Sequence, residues 1–202
     1  MEIRDRIIEE ATKEFMLYGT RSISMDNIAA ALGISKRTVY ENFKDKTHLV
    51  YTCLDTLAKQ HENKNHVIIT TPCNVIETIF SFMREGIKAM TSINPVFFFD
   101  MKKYYPRKWN EMQEANVKNV SRLTRNLLKK GIKEGLFRKD INIPIVAKLF
   151  HEQMNLLADE KIFPHDEYNF PDVFQNLTIN FMRGISTAKG IEIIDKITSK
   201  QK

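Results

Sequence analysis

Residues 22–46 read Ser-Ile-Ser-Met-Asp-Asn-Ile-Ala-Ala-Ala-Leu-Gly-Ile-Ser-Lys-Arg-Thr-Val-Tyr-Glu-Asn-Phe-Lys-Asp-Lys. Ser24 is suited to cap a helix over Met25–Leu32, with Asp26 favourably placed in the first turn. Gly33 can stop that helix with a positive φ, and Ser35 is placed to cap a second helix from Lys36 to about Phe43. Ile28, Ala29 and Leu32 form the inner edge of the first, and Val39 and Phe43 that of the second. Isolated helices this short are marginal in water, so packing must hold them. Two short helices across a Gly-containing turn describe a helix-turn-helix, whose second helix enters the major groove of DNA.

The exposed end of the second helix presents Ser35, Lys36, Arg37 and Thr38. Arg37 carries the planar fork that pairs with guanine O6 and N7. Lys36 and the helix N-terminus suit a phosphate. Tyr40, Lys44 and Lys46 suit the flanking backbone, where contacts position a protein without reading sequence. Ser24 and Asn42 complete the candidate DNA-binding set. Any one of these residues alone would pass for an ordinary solvated helix start; the whole string carries the reading.

The rest of the chain is consistent with an all-α protein. Its 202 residues are 43% apolar, enough for a substantial core. Seven Gly and six Pro are few for that length, and period-two alternation is absent while long helical periodicities recur. A first helix from about Arg4 to Tyr18 carries Ile7, Ile8, Ala11 and Phe15 on one stripe, and Gly19 is read as its left-handed cap. A fourth helix after Asp45 is expected to dissolve in the polar stretch His61–His66, a boundary near residue 65. Apolar helices follow Asn74, Asn94-Pro95, Trp109, Pro144 and Pro171, and the tail after Gly190 is left either docked or frayed. The expectation is about nine helices, with a helix-turn-helix domain at 1–48 and a second helical domain at 49–202.

Charge and cysteine usage bound the location. The first fifty residues hold eight bases and eight acids, so the candidate reading domain is neutral. The excess behind the net +6 lies in 118–139, where eight bases face Glu134 alone. Cys53 and Cys73 form neither a disulfide framework nor a metal pattern, which suits a reducing, cytoplasmic setting. The charged start, without an apolar run, leads to the expectation of no signal peptide, and Val96–Phe99 is too short to span a membrane.

Residues 1–50 resemble the N-terminal domain of TetR-family transcriptional regulators. The matching pieces are the amphipathic first helix ending Tyr-Gly-Thr, then Ser-Met-Asp-Asn-Ile-Ala-Ala-Ala-Leu-Gly-Ile-Ser, then Thr-Val-Tyr-x-x-Phe-Lys-Asp-Lys-x-x-Leu. Chain length, helix count and the stretch Gly135-Leu-Phe-Arg-Lys-Asp-Ile141 agree less specifically. The resemblance implies a homodimer reading a pseudo-palindromic double-stranded operator, with half-sites about one DNA turn apart. It also implies a C-terminal domain that binds a small hydrophobic or aromatic effector and pairs through its last two long helices. The candidate interface residues there are Leu149, Phe150, Val173, Phe174, Leu177, Phe181 and Ile185. Arg37, at a position often small in the family, and the acid Glu41 depart from the usual pattern.

An aromatic cluster supplies the candidate effector residues Phe98, Met101, Tyr104, Tyr105 and Trp109, with Ile87, Met90, His151, Met154 and Asn155 added. Pockets are lined by such residues, but so are cores. His151-Glu-Gln-Met-Asn155 approaches a zincin signature and lacks its second His, so no metal site and no cofactor are expected. No nucleophile elbow, P-loop or dinucleotide fingerprint supports an enzyme. The rival readings are a helical carrier of lipids or hydrophobic ligands that uses the aromatic cluster alone and an enzyme built on the helical core. Lys118, Arg122, Arg125 and Lys129 lie within roughly 40° of one line on a helix, opposite Val120, Leu123, Leu127 and Gly131. That stripe reads either as a wet helix face or as a surface for a membrane, an acidic ligand or nucleic acid.

Overall fold

The computed structural model describes residues 2–157, 161–164 and 166–199. Among them are ten α-helices and no strand: α1 Ile3–Tyr18, α2 Met25–Leu32, α3 Lys36–Asn42, α4 Lys46–Thr70, α5 Val75–Thr91, α6 Pro95–Tyr104, α7 Pro106–Lys133, α8 Ile143–Leu156, α9 Phe170–Ile185 and α10 Ala188–Thr198. The tail after Gly190 therefore forms most of a tenth helix, capped by the Thr187 hydroxyl, which accepts from Gly190 N. α4 runs straight through His61–His66 to Thr70. Those residues are polar but include no helix breaker, and the chain meets none before Pro72. α7 starts at Pro106 rather than Trp109, because a proline fits a first turn that lacks amide partners anyway.

The chain forms two compact units. The first comprises residues 1–67 and 89–113, and the second 68–88 and 114–202. In the first, Ile7, Ala11 and Phe15 of α1 meet Ile28 and Ala29 of α2, Val39 of α3, and Phe43. Leu49, Val50, Cys53 and Leu54 of α4 close this core with Phe97 and Met101 of α6. Ile7, Ile28, Val39, Phe43, Leu49 and Met101 are completely inaccessible. Each buried side chain of this size contributes roughly 1.5–3 kcal/mol, which is how eight- and seven-residue helices persist. Burial pushes the Cys53 thiol up to about 11, so it stays protonated at neutral pH.

The second unit is built on Val75, Ile76, Phe80 and Met83 of α5, Leu128 of α7, Leu136, Phe137, Ala147 of α8, Met182 and Ile185 of α9, and Ile194 of α10. Arg138 N donates to Ile185 O at 2.9 Å and Thr187 N to Leu136 O at 3.0 Å, which ties the turn after α7 to the end of α9.

Candidate nucleic-acid interface

The helix-turn-helix is defined by its caps. Ser24 Oγ accepts from Asn27 N, and the Asn27 side chain accepts from Ser24 N, a reciprocal capping box. Gly33 ends α2 in the left-handed region at φ 65°, ψ 31°. Ser35 Oγ accepts from Thr38 N at 3.1 Å and lies 2.8 Å from the Thr38 hydroxyl. Asn42 Nδ2 donates to Thr38 O at 2.9 Å, so its amide serves the end of α3. Two serines thus fix where both short helices begin, and each cap is worth about 1 kcal/mol.

The charges of this face are paired. Lys36 Nζ lies 2.8 Å from Asp26 Oδ2, which bridges α3 to the first turn of α2. Arg37 Nε lies 2.8 Å from Glu41 Oε1 one turn along α3. The hydrogen bond to Asp26 raises the Lys36 pKa, so its ammonium stays charged. Both pairs are solvent-exposed, and exposed pairs are held weakly, so either cation can exchange its carboxylate for a phosphate or base edge. Tyr40 is 45% exposed, with the Lys36 ammonium 5.9 Å from its ring centre. Lys44 stands in solvent.

Lys46 differs from the rest. It opens α4, and its ammonium donates to Arg21 O at 3.4 Å. It is half-buried, and that burial lowers its pKa. Asp45 accepts from His48 N at 2.8 Å and caps the same helix. Lys46 therefore holds the turn after α1.

That turn has a second anchor 80 residues away in the chain. Asp100 of α6 is 4% exposed, and its Oδ2 accepts from Arg21 N at 2.7 Å and from the Thr20 hydroxyl at 3.4 Å. Gly19 makes room for it. A Cβ there would lie 2.7 Å from Asp100 Oδ2, and the backbone adopts φ 79°, ψ 157°, outside the expected left-handed cap. Arg21 also donates to the Tyr104 hydroxyl at 2.9 Å. No local pattern announces Asp100, because its partners are distant in sequence; only a lone acid in an apolar helix hints at it.

The candidate effector residues fall into both units. Met101 is fully buried in the first core, and Phe98, Tyr105 and Trp109 pack against that core. Phe98 meets Trp109 edge-on at 6.2 Å and Tyr105 meets Tyr51 at 6.1 Å. Tyr104 and Met90 are exposed. Ile87 packs against the second core, while His151 and Met154 are half-buried and Asn155 is exposed. Among the described residues no group of three or more His, Cys, Asp or Glu gathers that could hold a metal.

The candidate pairing residues divide as well. Leu149 is 56% exposed, whereas Ile185 is buried in its own unit, because it lies on the inward side of α9. Phe150 packs on Phe181 at 4.6 Å, Phe174 packs against the second core, and Val173 and Leu177 are half-buried. Ile145 and Leu156 of α8 are exposed at 57% and 44% and join Leu149. Their spacing of four and seven on one helix was a readable signal.

Residues 7–51 match the pattern described as bacterial regulatory proteins, tetR family. An uncharacterized HTH-type transcriptional regulator of Bacillus subtilis, YvaF, is 22% identical over 166 residues, 82% of this chain and 86% of that protein. An HTH-type transcriptional regulator of Staphylococcus aureus strain USA300 is 50% identical over 50 residues, 25% of this chain and 27% of that one. A transcriptional regulator of Cytophaga hutchinsonii shares the fold with a TM-score of 0.73 at 18% identity, covering 91% of this chain and 98% of its own. The ketosteroid regulator KstR2 of Mycobacterium tuberculosis does so with a TM-score of 0.60 at 18% identity, covering 92% and 96%. No helix among the described residues is long and apolar enough to cross a membrane. Residues 7–51, with their capped helix-turn-helix, thus match the DNA-binding domain of the tetR family of bacterial regulatory proteins, and the all-helical fold behind it is one shared with solved transcriptional regulators.

Proposed function

We propose that the protein is a cytoplasmic, homodimeric repressor that leaves a pseudo-palindromic operator when a small hydrophobic or aromatic molecule binds its helical core. The observation that carries the DNA-reading half is the capped end of α3, where Arg37 and Tyr40 stand exposed beside Ser35 and Thr38. Dimerisation is supported by the apolar outer face of α8, Ile145, Leu149 and Leu156, which a second copy would cover. That a small molecule binds at all is supported by the fold alone: a transcriptional regulator of Saccharomonospora viridis with this fold, 16% identical, was solved in complex with choline.

The route between the two functions runs through α4. Its first residue holds the Arg21 carbonyl, and further along Asp55 accepts from Lys108 of α7 at 2.6 Å. A ligand acts on such a route only through different affinities for the bound and released states.

The test uses duplex from the intergenic region upstream of the gene, scanned for an inverted repeat. Arg37→Ala with Tyr40→Ala should weaken binding by about a hundredfold or more while helix content stays unchanged, since lost base and phosphate contacts each cost on the order of 1–3 kcal/mol. Lys46 is left in place because it also secures the turn after α1. If the double variant binds the repeat as the parent does, the assignment of α3 fails.

A further inference from the structure

Lys118, Arg122, Arg125 and Lys129 follow one another along the outer face of α7, all exposed. At a rise of 1.5 Å per residue they form a row roughly 16 Å long, with successive members about 4.5–6 Å apart along the axis. With Val117, Ser121 and Asn126 they make up one open face of the helix. Ion pairs of α7 among the described residues use Arg107, Lys108 and Lys130, and none of them draws on the row. Its one polar contact is Arg122 donating to Asn119 Oδ1 at 3.3 Å. Like charges three and four residues apart oppose helix formation, and the nearest carboxylate along α7 is Glu114, one turn before Lys118.

We propose that this row is a binding site for a small ligand carrying two or more linked phosphates. A single oxyanion reaches only neighbouring members, whereas four cations in line match oxyanions in series. Arg122 and Arg125 supply forks that grip phosphate with two bonds each, and the two lysines extend the field. Ser121 and Asn126 add neutral donors, and Val117, 41% exposed, adds an apolar side chain beside the lysine and arginine stems. A membrane-surface helix would set aromatic or leucine side chains beside its lysines, and this face of α7 has none.

The experiment is calorimetric titration of the full chain with inorganic tripolyphosphate, against sulfate at matched ionic strength, for the parent and for Arg122→Gln with Arg125→Gln. Both arginines are exposed, so the variant should keep its helix content and its operator binding. Tripolyphosphate should bind the parent well above sulfate, and the variant should lose at least about tenfold, the scale of one lost charge-assisted contact. Equal binding of the two anions overturns the proposal, as does a variant that binds tripolyphosphate like the parent. A variant that instead loses affinity for mixed-sequence duplex, or for vesicles containing anionic lipid, while its tripolyphosphate binding is unchanged, reassigns the row to that surface. Operator binding is read separately, so failure here leaves the reading of α3 untouched.

Discussion

In the reading head Lys36 pairs with Asp26 and Arg37 with Glu41, whereas on α7 Lys118, Arg122, Arg125 and Lys129 form no ion pair among the described residues. The first region is neutral overall and yet carries the family's DNA-reading motif; the second holds the positive excess and carries none. Net charge therefore misplaces the function of this molecule. What the head offers is geometry: two serine caps, a Gly turn and a closed core set a few side chains at one surface. What α7 offers is field without a preset partner, the condition under which a multivalent anion is held by number of charges.

The comparison can be broken at its strongest point by removing the packing beneath the head. Phe43 is completely buried between α3 and α4, so Phe43→Ala should cost about 3–5 kcal/mol in urea unfolding and abolish operator binding together with it. Retained binding at full affinity would mean that the head is not organised by its core. The turn after α1 offers the next effect. Gly19→Ala should cost on the order of 1–3 kcal/mol from backbone strain and collision with Asp100. Asp100→Ala should cost about as much, because it strands the Arg21 amide and the Thr20 hydroxyl. Combined, the two should cost less than their sum, since the collision is gone; strict additivity in the denaturation cycle would show that they act separately. The smallest effect sharpens the contrast of charge. Glu41→Gln frees Arg37 and should tighten duplex binding about threefold to tenfold, with a steeper salt dependence. An unchanged affinity would mean that Arg37 does not meet DNA.

Much of this was legible where the governing forces are local. The caps at Ser24, Ser35 and Asp45, the stop at Gly33 and the spacing of Ile7, Ala11 and Phe15 each act within a turn or two of chain, and the structure shows them. The pairing of Arg37 with Glu41 was equally open to reading, being four apart on one helix. Asp26 with Lys36 was not, because the contact depends on how α2 crosses α3. The polar run His61–His66 does not break α4, because a helix exposed along that stretch needs only the absence of Gly and Pro. Whether Phe98, Tyr105 and Trp109 line a cavity or fill a core could not be decided from composition, since aromatic rings serve both; here they pack against the first core. The partner of Asp100 was beyond reach for the same reason as any contact across 80 residues: it exists only once the chain is folded.

The fit of Gly19 around the Asp100 carboxylate has a consequence for how this chain's descent can be traced. Two positions 81 residues apart share one small volume, so neither can drift alone: a side chain at the first demands a shorter residue at the second. Joint variation of these two columns should therefore separate relatives that keep this turn from those that merely keep the helix-turn-helix. The pair would serve as a lineage marker written across the boundary of the motif by which the family is recognised.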